Sequence, residues 1–248
     1  MTTSVKNQQQ NKFITEEINN ITNIAAQILR NILQSNNITH INLTEDKIGV
    51  EGIKIVSKAL EHNELITKIN LCNNNIGSDG LSLLVKTLGT NHNLSNIDLE
   101  CNNIGDQGAI ILAEFLTNNK TIKQINLSDN NIGDQGAIIL AKFLANNSNS
   151  TIEQMNLNAN DIGDVGFIKI IQALEINGTT SQINLSNNYI TDNGAMELMK
   201  ILESNKITSV IIIDFTDLES ENTSYEVEIL LTKTLENHNK KLGRLSMV

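Results

Sequence analysis

The sequence contains no proline and no tryptophan, and only two tyrosines and five phenylalanines among its 248 residues. With large rings this scarce, a core has to be assembled from isoleucine, leucine and alanine. Cysteine occurs twice, at Cys72 and Cys101, too few for a disulfide framework and without metal-site spacing. Cations are the scarcer sign: 18 Lys and Arg stand against 28 Asp and Glu, a formal net charge of −10. That balance argues against nucleic acid, whose phosphates would be repelled, and favours a basic partner surface over an acidic one. No apolar run approaches the roughly 20 residues needed to span a bilayer. The strongest, Val210 to Ile213, is the size of a strand. The opening MTTSVKNQQQNKF lacks the apolar stretch of a secretory signal. Several Asn-x-Ser/Thr triplets fall inside the strands proposed below, where a glycan would spoil the surface. The expectation is a cytoplasmic protein, or one exported from an intracellular bacterium into a host cell, with no membrane partner.

What is present is repetition. Cys101 to Asn119 returns almost unchanged as Asp129 to Asn147, shifted by 28 residues. Ile-Asn-Leu at 41–43 recurs at 69–71, 97–99 (as Ile-Asp-Leu), 125–127, 155–157 (as Met-Asn-Leu) and 183–185, in steps of 28, 28, 28, 30 and 28. The two extra residues fall in a polar stretch before Thr151, where an insertion does least damage. Each unit switches period partway through. The alternation in Ile69, Asn70 and Leu71 puts both apolar side chains on one face of a short strand. After a turn containing Asn74, Ile76 and Gly77 the spacing becomes helical. Ala109, Leu112, Ala113 and Leu116 fall at i, i+3, i+4 and i+7, one face of a helix.

The pattern carried by Ile122, Ile125, Leu127, Asn130, Ile132 and Gly133 resembles the leucine-rich repeat. A 28-residue period with a full helix is similar to the ribonuclease-inhibitor-like subclass, which includes the repeats of Ran GTPase-activating protein and of NOD-like receptors. The resemblance implies an α/β fold, a leucine-rich-repeat solenoid or horseshoe. Its concave face would be a parallel sheet of about seven strands and its convex face a layer of helices. Residues 1–13 are expected to be disordered and 14–37 to form a helical N-terminal cap. Six repeats occupy 38–206, and 207–248 hold a degenerate seventh unit and a C-terminal helical cap, with Phe215 where the repeat asparagine should stand. Val227, Leu230, Leu231 and Leu235 are expected to face inward from that last helix.

Two rows of asparagine have different prospects. Asn74, Asn102, Asn130, Asn160 and Asn188, with Asp46 in the first unit, follow each strand and can satisfy backbone groups that stacked turns leave unpaired. Asn42, Asn70, Asp98, Asn126, Asn156 and Asn184 lie between two inward residues and point to the concave side. That row either reads a partner's polar groups or is a solvated ladder. The flanking rows vary more: His40, Lys68, Asn96, Gln124, Gln154 and Gln182 on one side; Thr44, Cys72, Glu100, Ser128, Asn158 and Ser186 on the other. Asp98, Glu100 and Asp129 form the most acidic spot, suited to a basic side chain of a partner, or else simply solvated. Tyr189 replaces a polar residue just beyond its strand and is either a contact residue, in keeping with the enrichment of Tyr at hot spots, or packed on the next turn. The partner-binding candidates are therefore Asp98, Glu100, Asn126, Asp129, Asn156, Asn158 and Tyr189. On the helices Ile110, Ile138 and Ile168 form a row that either packs between helices or serves self-association.

The four histidines, His40, His62, His92 and His238, pair with no cysteine or carboxylate at metal spacing. The Ile-Gly-x-x-Gly element recurs with the repeat and reads as its turn into the helix rather than a phosphate cradle. No catalytic residue, metal or cofactor is assigned. The expectation is a monomeric, non-catalytic module that binds a protein partner on its concave strand face, as a scaffold or bacterial effector. The alternative is a GTPase-activating regulator of the kind the resemblance to Ran GTPase-activating protein implies.

Overall fold

A polar-apolar-polar tripeptide, as in His-Ile-Asn or Gln-Ile-Asn, forms a three-residue strand that buries its middle side chain and turns the two flanking ones to the other face. A computed structural model describes residues 38–60, 63–146, 151–204, 206–213 and 224–242. The expected disordered N-terminus and helical cap at 1–37, and Phe215, lie outside the described residues. Within them β1 (His40–Asn42), β2 (Lys68–Asn70), β3 (Asn96–Asp98), β4 (Gln124–Asn126), β5 (Gln154–Asn156), β6 (Gln182–Asn184) and β7 (Val210–Ile212) follow one another. They form a single parallel sheet in sequence order. The register is unbroken: Ile41, Ile69, Ile97, Ile125, Met155, Ile183 and Ile211 stand side by side. All seven are buried. The two extra residues before Thr151 leave this alignment intact, because the strands on either side still present matching faces.

Between and after the strands run α1 (Gly49–Leu60), α2 (Gly77–Leu88), α3 (Gly105–Asn118), α4 (Asp134–Ala145), α5 (Asp164–Leu174), α6 (Asp192–Glu203) and α7 (Tyr225–Lys241). Each helix packs on the next. Ala109, Leu112, Ala113 and Leu116 are buried on α3, as their spacing predicts, and Ala137, Leu140, Ala141 and Leu144 repeat the face on α4. One continuous core, aliphatic apart from Phe143, Phe167 and Met155, fills the space between sheet and helices. Ile110, Ile138 and Ile168 are only half-buried, and Met196, next in that row, is 42% exposed.

A solenoid of short strands leaves many backbone groups to satisfy, and buried asparagines do it. Asn102 Nδ2 donates to the carbonyls of Leu71 (2.8 Å), Leu99 (3.0 Å) and Glu100 (2.9 Å), while its Oδ1 accepts from the amides of Asn74 (3.1 Å) and Ile76 (3.3 Å). Asn130 and Asn160 repeat the arrangement one and two units on. These side chains are 0–5% exposed, so each bond is made where water cannot replace it. A second asparagine series lies where helix returns to strand and escaped the sequence reading. Asn91 Oδ1 accepts from Asn93 and Leu94, Asn119 from Thr121 and Ile122, and Asn177 from Thr179 and Thr180. The signal was there in the 28-residue spacing of Asn63, Asn91 and Asn119.

The turns into the helices come in two forms. Gly49, Gly77 and Gly105 are left-handed, with φ of +54°, +63° and +62°. Each donates its N–H forward, to the carbonyl of Asn74, Asn102 or Asn130 in the next unit. Gly133 and Gly163 are extended, with φ of −94° and −89°. Their N–H groups point back to the carboxylates of Asp106 and Asp134. The forward bond then reverses: Asp161 and Tyr189 donate to the carbonyls of Ile132 and Ile162. This adds parallel bridges between Gly133 and Asp161 and between Gly163 and Tyr189.

The last helix turns differently from the sequence expectation. Leu231 and Leu235 are buried, but Leu230 is 54% exposed. Polar side chains do part of the closing instead. His238 Nε2 lies 3.1 Å from the Ser209 carbonyl, and Asn239 Nδ2 donates to Ile211 O at 3.2 Å. Both side chains are buried against the final strand, whose far edge has no further strand among the described residues.

Candidate partner-binding face

Strand side chains that do not enter the core have one other place to go, and across β1 to β6 they line an open trough of about 570 Å³. Two in-register rows form its floor. One runs His40, Lys68, Asn96, Gln124, Gln154, Gln182, and the other Asn42, Asn70, Asp98, Asn126, Asn156, Asn184. Lys68 and Asp98 are the charged members at neutral pH, and the rest beyond His40 are amides. In register with Gln182 and Asn184, β7 carries Val210 and Ile212, so the polar rows stop at β6.

The second row has a structural duty on one atom. The side-chain oxygens of Asn42, Asn70, Asp98, Asn126, Asn156 and Asn184 each accept the N–H two residues on, at 2.8–3.1 Å. These are local turns that end each strand with a side-chain acceptor in place of a partner strand. An asparagine committed through its oxygen still has an NH₂ group to offer. An aspartate at the same place offers its second carboxylate oxygen instead, so Asp98 inverts the donor pattern at the third strand. Asn126 Nδ2 donates sideways to Glu100 Oε2 at 2.9 Å. In the first row the amides of Asn96 and Gln124 bond to each other across β3 and β4.

Of the seven sequence candidates, Asp98, Asn126 and Asn156 line the trough. Glu100 and Asn158 lie just past the strand ends, tied into the lattice. Asn158 Nδ2 donates to Ser128 Oγ at 3.1 Å, and its Oδ1 accepts from Asn187 Nδ2 at 3.0 Å. Asp129 is exposed in a left-handed turn, with φ of 52°, where its Oδ2 accepts from the Cys101 thiol at 3.0 Å. Tyr189 is 52% exposed but does not line the trough; its backbone sits in the bridge to Gly163, three units from Asp98. The candidates thus fall in two places, a central polar-acidic group and a separate aromatic on the rim.

The thiols report the electrostatics of the central group. Burial, then the hydrogen bond to Asp129 and the nearby carboxylate charge, push Cys101 up to about 12 from 9.0. Burial, then the charges of Glu100, Asp98, Glu45 and Asp129, raise Cys72. None of the ion pairs among the described residues involves Asp98, Glu100 or Asp129. Both cysteines are free, and burial first, with the neighbouring carboxylates second, disfavours the thiolate at each. No group of three or more metal-capable side chains occurs among the described residues. None of the described helices is long and apolar enough to cross a membrane.

The family model for the leucine-rich repeat matches the chain five times, at residues 62–85, 90–113, 118–141, 148–170 and 182–199. Comparison with curated proteins finds no match. Among solved structures, the tropomodulin C-terminal domain from Caenorhabditis elegans is similar at 16% identity, over 67% of this chain and 95% of that one, with a TM-score of 0.49. The actin-binding site 2 of leiomodin-1 is similar at 20% identity, over 77% of this chain and 88% of that one, with a TM-score of 0.41.

Proposed function

This chain is a leucine-rich-repeat protein, and we propose that it is a non-catalytic interaction module whose concave trough binds a protein partner. The observation that carries the reading is the trough itself: two polar rows in register over six strands, open to solvent, ending where β7 turns apolar. Amide rows are complementary to the backbone and polar side chains of another protein. The uncompensated carboxylates of Asp98, Glu100 and Asp129 favour a basic surface on that protein and would steer its approach. Asn126, Asn156 and Asn158 provide hydrogen bonds beside them, and Tyr189 serves as an outlying contact on the rim. The 28-residue period with a helix in each unit supports the ribonuclease-inhibitor-like subclass. On this reading the protein acts as a monomer and works in the cytoplasm or, as a bacterial effector, in a host cytosol.

A photo-crosslinking residue placed at Asn126 on the concave face, and separately at Ser82 on the exposed side of α2, tests the assignment. The partner is expected to crosslink from Asn126 and not from Ser82. Asp98→Lys with Glu100→Lys should weaken its capture by about tenfold or more, and the loss should shrink as salt is raised. Crosslinking from Ser82 alone would move the binding surface to the helices. A captured GTPase whose hydrolysis is accelerated would replace the module with a regulator.

A further inference from the structure

Asn102 to Ala113 and Asn130 to Ala141 are the same twelve residues, yet their turns differ. Gly105 is left-handed at φ +62°, and Gly133 is extended at −94°. Identical local sequence cannot choose between two backbone states, so the choice is made by a neighbour. The neighbour that differs at the glycine N–H is the preceding unit. Asp106 Oδ1 accepts from Gly133 N at 2.8 Å and from Gly136 N at 2.9 Å. Asp134 does the same for Gly163 and Gly166, at 2.9 and 2.8 Å. Asp164 takes Thr191 N at 2.8 Å and its hydroxyl at 2.6 Å. The position equivalent to Asp106 is Ser78 before the Gly105 turn and Val50 before the Gly77 turn. Neither residue has a carboxylate to offer, and there the glycine N–H goes forward to an asparagine carbonyl.

We propose that the residue after glycine in each Ile-Gly turn sets the backbone state of the next unit's turn. A carboxylate there draws the following glycine's N–H back into an extended conformation, where negative charge meets the first amides of a helix. The carbonyl one residue earlier is then free to accept from the unit beyond, as Ile162 accepts from Tyr189 at 2.8 Å. The presentation of Tyr189 on the rim is therefore governed by Asp134 and Asp164, side chains of the two preceding turns. The second glycine of the motif fits this role. A Cβ at Gly136, Gly166 or Gly194 would lie 2.7, 2.7 or 2.3 Å from the preceding unit's aspartate oxygen.

Alanine distinguishes the two states, because it tolerates extended backbone and resists the left-handed region. Equilibrium denaturation should show Gly105→Ala lowering the folding constant by about tenfold, and Gly133→Ala leaving it within about threefold. In a Ser78→Asp background the penalty at Gly105 should vanish. In an Asp106→Ser background Gly133→Ala should acquire a penalty of about tenfold. Glycine-labelled NMR reads the same change without alanine: the Cα and carbonyl shifts of Gly133 should move toward those of Gly105 when Asp106 becomes serine. Alanine costs and glycine shifts that ignore both background changes would overturn the proposal, assigning the choice to the following unit and its longer loop. Because Ser78→Asp only adds a carboxylate, a failure of Asp106→Ser to fold leaves that arm to decide.

Discussion

The first three units and the next three are built from nearly one sequence and hold themselves together differently. In units one to three the glycine turn is left-handed and donates forward to the next asparagine's carbonyl. In units four to six the turn is extended, an aspartate from behind takes its N–H, and bridges to the next unit follow at Gly133 and Gly163. The surfaces differ with the turns. Both free thiols and the Asp98, Glu100 and Asp129 group lie around β2 to β4. Val165, Ile176, Tyr189 and Met196, all in units five and six, are exposed. A repeat is thus a frame with two hydrogen-bond schemes, and the extended one goes with an aspartate in the preceding unit.

The largest contrast to look for is chemical and belongs to the first half alone. With Cys101 raised from 9.0 to about 12, its thiolate fraction at pH 8 falls roughly a thousandfold below that of an ordinary thiol. Iodoacetamide should therefore modify it far more slowly than a peptide thiol, and Asp129→Asn should speed the reaction. Ordinary alkylation rates in the folded protein would remove the negative field from the account of the trough. Next come the asparagines that the halves share. Asn102→Ala and Asn160→Ala each orphan several buried backbone groups and should each lose about 3 kcal/mol by denaturant unfolding. A loss confined to one of them would mean that only one half relies on the ladder.

A smaller difference separates the second glycines. At Gly166 an added Cβ would meet the Asp134 carboxylate and its backbone Cα at 2.7 and 3.0 Å, whereas at Gly80 the closest atom is an Ile76 methyl at 2.6 Å. Gly166→Ala should cost about 2 kcal/mol and Gly80→Ala about half of that, since only the former also expels a carboxylate that holds two amides. Equal costs would show that crowding within the helix, not the aspartate, explains both glycines. The smallest effect is a gain. Ala159 holds φ at 52°, where other units place Asn73, Asp129 and Asn187. Ala159→Asn should stabilise by about 0.5 kcal/mol, measured as a higher denaturation midpoint.

Much of this was legible before any coordinates. The recurrence of Ile-Asn-Leu marks the strands, and the spacing of Ala109, Leu112, Ala113 and Leu116 marks a buried helix face. The post-strand asparagines announce their role because only a fixed structural need repeats an amide every 28 residues. The concave rows were legible for the same reason. Other features were not. That the Asn70 and Asn126 oxygens are engaged in strand-ending turns depends on χ angles, which periodicity does not report. Leu230 faces outward because, among the described residues, α7 packs on α6 and β7, and the pattern of leucines on that helix fits more than one rotation. Tyr189 stands three units from Asp98, a separation the repeat alignment already carries; that its side chain is exposed and outside the trough depends on the turn into the next helix, which the alignment does not report.

Within the six repeats the sequence by itself determined the number of units, the register of the strands and which side chains face the core, since each follows from local period and from like stacking on like. Only the tertiary structure decided the backbone of the turns. The twelve residues shared by Asn102 to Ala113 and Asn130 to Ala141 hold no information that could tell Gly105 from Gly133. The physical reason is that a turn's N–H has two acceptors within reach, one in the unit ahead and one in the unit behind, and the stack determines which of them is present.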